Sequence, residues 1–152
     1  MKTSTITIRP LTEADQKGWY NNWQAYLAFY NTTLNDEVTH ATWTKILDPA
    51  TAIYGFAAFE GDNLIGIMHV VLHPNTWNIT DCCYLEDLYV DHVCRGMGVG
   101  RQLIEYVYQF AQEQKCNRVY WVTGEDNKVA RQLYDKLAHL TDMVQYRKDL
   151  AQ

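Results

Sequence analysis

The residues best suited to chemistry fall in two short stretches. In CRGMGVGRQLI, residues 94–104, glycines stand at 96, 98 and 100 and an apolar, helix-like run follows at once. Glycines placed this way let successive backbone N–H groups turn toward one anion, and a helix start adds the positive end of its dipole. Arg95 and Arg101 flank the loop and add charge. Upstream, YLED sets two carboxylates side by side, Glu86 and Asp87. Acids in that position can accept a proton or hold a cation beside whatever the loop binds. The nucleotide readings of the loop fail on spacing. A Walker A loop needs GxxxxGK[ST], and no Lys followed by Ser or Thr stands after Gly100. A dinucleotide fingerprint needs a third glycine where this chain has Arg101, and too little chain follows for the further strand–helix–strand units.

A third reading fits. Arg95-x-x-Gly98-x-Gly100, after the strand-like YLEDLYV and opening a helix, resembles motif A of the GNAT N-acetyltransferase superfamily, (Q/R)-x-x-G-x-(G/A). The resemblance continues through YWVTGEDNKVARQLYDKLA, where Asn127, Ala130, Leu133 and Tyr134 match N-x-x-A-x-x-L-Y. YLED is similar to its counterpart in the diamine (spermidine/spermine) acetyltransferases. The overall pattern is closest to these and to the fungal-type histone/polyamine acetyltransferases. One departure stands out: Ala138-His139-Leu140 replaces the Gly–aromatic pair that often follows the last helix.

The resemblance implies an acyl-CoA N-acyltransferase fold, acetyl-CoA as co-substrate and no metal. It implies that the backbone of Arg95, Gly96, Met97, Gly98, Val99, Gly100 and Arg101 cradles the pyrophosphate. The backbone of Leu88, Tyr89 and Val90 would hold the pantetheine arm and thioester, with Asn127 and Ala130 meeting the same arm. Acetyl transfer to an amine requires a neutral nitrogen, a stabilised oxyanion and a proton for the leaving thiolate. A primary amine has a pKa near 10.4, so a base is required at neutral pH. By resemblance, Glu86 is the general base, through water, Asp87 holds a cationic acceptor, and Tyr134 is the general acid. On a regular strand Glu86 and Asp87 would project to opposite faces, and Glu86 would lie roughly 13 Å from Val90.

These residues need a scaffold, and the patterning supplies one. TITIRP reads as a first strand stopped by Pro10, and Thr12 with Asp15 resembles a capping signal for a helix over about 13–30. In that helix Trp19, Trp23, Tyr26, Phe29 and Tyr30 recur at helical spacing. They read first as packing residues, and second, through Trp19, Trp23, Tyr26 and Tyr30, as a wall of the acceptor site offering cation–π contacts, with Tyr26 and Tyr30 as substrate-binding residues. A second helix starts near Asn35 and runs to about 47. AIYGFAAFE and NLIGIMHVVLHP, separated by Gly61-Asp62, form a hairpin, and CCYLEDLYVD is the next strand. The helix after the glycine loop shows one apolar face, Leu103, Ile104, Val107, Tyr108 and Ala111. RVYWVT is a strand and NKVARQLYDKLA a helix with Val129, Leu133 and Leu137 on one side. MVQYRKDL reads as a last edge strand. The fold class is therefore α+β, a mixed sheet in the order β-α-α-β-β-β-α-β-α-β, as one domain over residues 1–152.

Composition narrows the partners. The chain has 152 residues, a net charge of −5 and ordinary apolar content, which argues against nucleic-acid binding through phosphates. Residues 46–94 carry no Lys or Arg but include Asp48, Glu60, Asp62, Asp81, Glu86, Asp87 and Asp91. That acidic middle suits a small cationic amine. The start lacks a signal-peptide stretch, and apolar runs such as IYGFAAF are far short of the roughly 20 residues of a spanning helix, so a cytoplasmic protein with no membrane partner is expected. Cys82, Cys83, Cys94 and Cys116 show no CxxC spacing and read as free thiols. His69 and His73, four apart on a strand, lie too far apart for a zinc pair. The expected function is acetylation of a polyamine by direct attack in a ternary complex, by a homodimer as in similar family members. An aminoglycoside, a free basic amino acid, a protein or histone lysine, and a non-catalytic acyl-CoA-binding module are the alternatives.

Overall fold

The computed structural model describes residues 5–152. Met1 to Ser4, the beginning of the stretch read for a leader, lie outside the described residues. The chain divides into two compact units, residues up to 122 and residues 123–152.

The first unit is built on a five-stranded sheet in the order β1 (Ile6–Pro10), β2 (Ile53–Glu60), β3 (Asn63–His73), β4 (Cys82–Val90), β5 (Arg118–Tyr120). Neighbours are antiparallel except β4 and β5, which run parallel. Parallel strands require a crossover, and α3 (Val99–Glu113) provides it. The β2–β3 hairpin turns through Gly61-Asp62, with Gly61 at φ +59. That left-handed conformation is one glycine adopts without cost.

Two helices precede β2. Thr12 and Asp15 do start the first, as their spacing suggests: the Asp15 carboxylate accepts from the Thr12 backbone N–H at 2.8 Å. It also receives both Arg9 guanidinium donors, at 2.8 and 3.0 Å, so the cap ties the helix to β1. A short 3-10 turn, Glu13–Asp15, leads into α1 (Gln16–Phe29). Asn35 caps α2 (Asp36–Leu47) through its side chain, 2.9 Å from the Val38 N–H.

Strand alternation divides the apolar residues between two faces. One face, with Ala57, Phe59 and Ile67, packs against Leu11, Trp19, Trp23 and Leu27 and against Trp43 of α2. On the other, Phe56 meets Tyr106 and Phe110 of α3, whose Leu103, Ile104, Val107 and Ala111 are buried. Tyr108, expected on that buried face, is only half-buried and faces Trp121 at 6.5 Å between ring centroids.

The second unit contains α4 (Lys128–Leu137). Its half-buried side is Ala130, Leu133, Tyr134 and Leu137, whereas Val129, expected to face inward, is exposed. The strand expected over MVQYRKDL is not formed. Residues 138–152 carry no strand, and Met143, Val144, Tyr146 and Leu150 are exposed. A strand is stabilised by its neighbour, and residues 123–152 contain no second strand to pair with it.

Candidate active site

The glycine loop has the backbone its sequence requires. Gly96 and Gly98 sit at φ +84 and +78, conformations that side-chain-bearing residues rarely adopt, and a Cβ at either would meet nothing within 4 Å. The loop therefore uses glycine for its backbone conformation and not for want of space. Gly98 caps α3, and the bond from the Gln102 N–H to the Gly98 carbonyl, 3.0 Å, closes the first turn of that helix. The N–H groups of Val99, Gly100 and Arg101 precede that bond and end the helix with free donors and the positive dipole end. A diphosphate matches this donor set.

The flanking arginines make local contacts. Arg101 Nε donates to Glu105 at 2.9 Å, one turn along the helix. Arg95 Nε donates to the Val90 carbonyl at 3.1 Å, and its guanidinium lies over the rings of Tyr89 and Phe29, at 5.6 and 5.7 Å. Met97 is exposed, and Leu88, Tyr89 and Val90 are half-buried on the strand leading into the loop.

The acidic pair departs from a regular strand. His69 pairs with Asp87 and Val70 with Leu85, so Glu86 is an extra residue with no partner in β3. Such a bulge interrupts the alternation of side chains. The simple alternation that would send Glu86 and Asp87 to opposite faces therefore does not carry through this point, and Asp87 and Lys45 both act on the Glu86 charge. Glu86 is exposed by area. The protein around its carboxyl and the charge of Asp87 nevertheless push its pKa above the ordinary carboxylate value, against the opposing pull of Lys45. This combination suits a proton acceptor reachable from solvent.

The aromatic helix divides its labour by depth. Trp19 and Trp23 are buried and stacked with ring centroids 5.8 Å apart. Tyr26, half-buried, stacks on Trp23 at 5.4 Å and meets Tyr89 edge-on at 6.5 Å; Tyr30 is exposed beside Tyr26. Burial, followed by the Asp87 charge, raises the pKa of both tyrosines, so both stay protonated and can donate hydrogen bonds. The packing reading of this helix holds at Trp19 and Trp23, while Tyr26 and Tyr30 lie nearer the surface.

The two histidines hold the part that sequence reasoning missed. His69, 2% exposed, sits between Trp19 and Asp87: its Nε2 is 2.9 Å from Trp19 Nε1 and its Nδ1 2.9 Å from Asp87 Oδ2. His73 donates through Nδ1 to the Pro74 carbonyl at 2.8 Å, and its Nε2 lies 2.7 Å from the Tyr120 hydroxyl. Tyr120 stacks on Tyr84, centroids 4.9 Å apart, so His73, Tyr84 and Tyr120 line the same face further along the sheet. Sequence spacing tested these histidines only against each other; their partners come from α1 and from strands that pair later. All four cysteines are free, and burial pushes the Cys83 thiol up to about 12, far from a nucleophilic thiolate.

The expected residues of the second unit are in α4 and the segment before it. Asn127 precedes the helix and its side-chain amide donates to the Thr123 hydroxyl at 3.2 Å. Ala130 and Tyr134 lie on the half-buried side of α4, and Arg131 donates to the Glu125 carbonyl at 2.6 Å.

A mixed sheet whose fourth strand carries an acidic bulge and ends in a glycine cradle at a helix start defines an acyl-CoA-type N-acyltransferase. The chain belongs to the acetyltransferase (GNAT) family, whose model matches residues 10–139, and it is an N-acetyltransferase. The D-amino-acid N-acetyltransferase HPA3 of Saccharomyces cerevisiae is 35% identical over 98% of this chain and 94% of its own length. A thialysine N-epsilon-acetyltransferase of Caenorhabditis elegans is 30% identical over 59% of this chain and 55% of its own. Among solved structures, an aminoglycoside N-acetyltransferase in complex with CoA superposes with a TM-score of 0.81 at 20% identity, covering 98% of both chains.

Proposed function

We infer that this enzyme transfers acetyl from acetyl-CoA to the primary amine of a small cationic acceptor, by direct attack in a ternary complex. The observation that carries this reading is the bulge in β4, which breaks the alternation at Glu86 and Asp87, with the Asp87 charge acting on Glu86, Tyr26 and Tyr30. Two neighbouring acids with aromatic walls favour an ammonium ion over a neutral or anionic acceptor.

Each side chain then has a task. Asp87 binds the acceptor as its ammonium form, with Tyr26 and Tyr30 against its carbon chain. Glu86, through water, takes the proton that makes the nitrogen nucleophilic; its raised pKa brings it nearer to the amine it must deprotonate. Acetyl-CoA supplies the thioester, its diphosphate held by the amides of residues 95–101 and its arm by the edge of Leu88, Tyr89 and Val90. Tyr134 protonates the departing thiolate, and Asn127 and Ala130 contact the same arm; these assignments are supported by the match to N-x-x-A-x-x-L-Y.

Within the class of cationic amines, the YLED resemblance favours polyamines, while the names of the D-amino-acid and thialysine enzymes favour amino acids. CoA thiol release, measured with spermidine, spermine, D- and L-lysine, thialysine, other D-amino acids, an aminoglycoside and a basic peptide, separates these. Turnover with a polyamine or an amino acid above the aminoglycoside and peptide supports the reading. Turnover with the peptide alone overturns the small-acceptor claim, and acetyl-CoA binding without thiol release from any amine overturns the enzymatic site. The reading also includes one cytoplasmic domain acting as a homodimer, and sedimentation at micromolar concentration checks the dimer.

A further inference from the structure

The buried histidine has no part in the scheme above, yet it touches one of its acids. Trp19 is an N–H donor with no acceptor, so His69 Nε2, 2.9 Å away, must present a lone pair to it. The only site left for a proton on that ring is Nδ1. Nδ1 in turn lies 2.9 Å from Asp87 Oδ2, and a carboxylate oxygen accepts. Both contacts are satisfied by one species, neutral imidazole with its hydrogen on Nδ1. Trp19 and His69 are 1% and 2% exposed, so water does not compete for either bond. The Asp87 side chain, by contrast, is 15% exposed and reaches the edge of the acceptor face.

We propose that Trp19 and His69 form a positioning pair that orients the Asp87 carboxylate while leaving its negative charge uncompensated for a cationic acceptor. The proposal rests on the reading that Asp87 binds the acceptor's ammonium group. An imidazolium at the same place would orient Asp87 equally well but would cancel its charge. The indole N–H, by occupying Nε2, selects the neutral form. Asp87 of β4 faces His69 directly, Glu86 is its neighbour in that strand, and Tyr26 of α1 and Lys45 of α2 act on those acids. His69 is thus a positioning residue acting through Asp87.

The test combines a spectrum with kinetics. In protein labelled with 15N-histidine, at neutral pH, the His69 resonances, assigned by their loss in His69→Asn, should show the neutral Nδ1–H tautomer. His69→Leu, which removes the donor to Asp87, should raise the acceptor KM roughly tenfold, the usual effect of losing one hydrogen bond to a charged group. The KM for acetyl-CoA should stay within about twofold. His69→Asn, whose amide occupies the Nδ1 position, should recover most of the acceptor KM. Trp19→Phe removes only the indole donor, and should raise the acceptor KM with an imidazolium signature at His69; it also decides the matter if His69→Leu does not fold. An imidazolium or an Nε2–H tautomer in the parent protein overturns the proposal, as do equal KM increases in the Leu and Asn variants. If the parent acetylates no amine, the functional reading fails by itself, and the tautomer spectrum still decides whether the pair holds Asp87 as described.

Discussion

Substituting Gly98 by Ala separates the two roles of the glycine loop, backbone shape and ligand cradle. Gly98 is left-handed at φ +78, and a Cβ there meets nothing within 4 Å, so the cost is conformational and not steric. Holding alanine in that region costs about 1–2 kcal/mol. The unfolded chain loses entropy on the same change, which returns about 0.4–1 kcal/mol. The net loss is about 1 kcal/mol, a fall in Tm of roughly 2–4 °C for a chain of this size. Gly61 provides the control: it is left-handed at φ +59, equally open, and lies in the β2–β3 turn away from the loop. Gly61→Ala should therefore lose a similar amount of stability. The variants should part in their affinity for CoA, measured by titration calorimetry. A loop that relaxes toward negative φ turns its amides away from the diphosphate, so Gly98→Ala should bind CoA at least about tenfold more weakly, or 1.4 kcal/mol. Gly61→Ala should bind it as the parent does. Unchanged Tm in both variants would refute the strain argument, and equal CoA affinity in both would refute the cradle.

Three further substitutions test the site and its supports. Glu86→Gln should lower turnover about 10²-fold or more, and in the parent the acid limb of the pH–rate profile should lie above the ordinary glutamate value, because partial burial and Asp87 disfavour the ionised form. A raised carboxylate pKa disfavours the fold once the group ionises, so Glu86→Gln should melt no lower than the parent at neutral pH, a difference that disappears in acid. Asp15→Ala should cost about 2–3 kcal/mol in urea unfolding by removing the bonds to Arg9 and Thr12. The Asp15 pKa is lowered, chiefly by Arg9, so that contribution is present at neutral pH and is lost as pH falls through the folded-state value. Tyr134→Phe should reduce turnover far more than acetyl-CoA affinity, and full activity in that variant would remove Tyr134 from the chemistry.

Local signals in the chain carried most of the architecture. The hairpin turn at Gly61-Asp62, the caps at Thr12 and Asn35, and the apolar stripe of α3 each depend on neighbours within a few residues, and each is found where its spacing puts it. The glycine loop was legible for the same reason: left-handed backbone at 96 and 98 is a property of those residues themselves. The expected last strand does not form, because alternation over MVQYRKDL marks only a segment able to pair, and a strand also needs a partner. Val129 shows the same limit on a smaller scale, since helical spacing leaves open which of two apolar stripes turns inward.

The acidic site lies at the boundary of what the chain alone reveals. Residue types announced Glu86 and Asp87, and their order in the strand implied opposite faces. Pairing with β3 breaks that alternation, because one extra residue between Leu85 and Asp87 shifts the register, and the Asp87 charge acts on both Glu86 and Tyr26 of α1. His69 is further still from local inference. Its ring belongs to β3, its donor Trp19 is fifty positions earlier and its acceptor Asp87 eighteen later. Sequence by itself determined the loop, most of the elements and the kinds of group available, since these follow from short-range backbone and packing preferences. Only the tertiary structure decided which carboxylate is free and which is held, because that depends on hydrogen bonds between groups the chain brings together by folding.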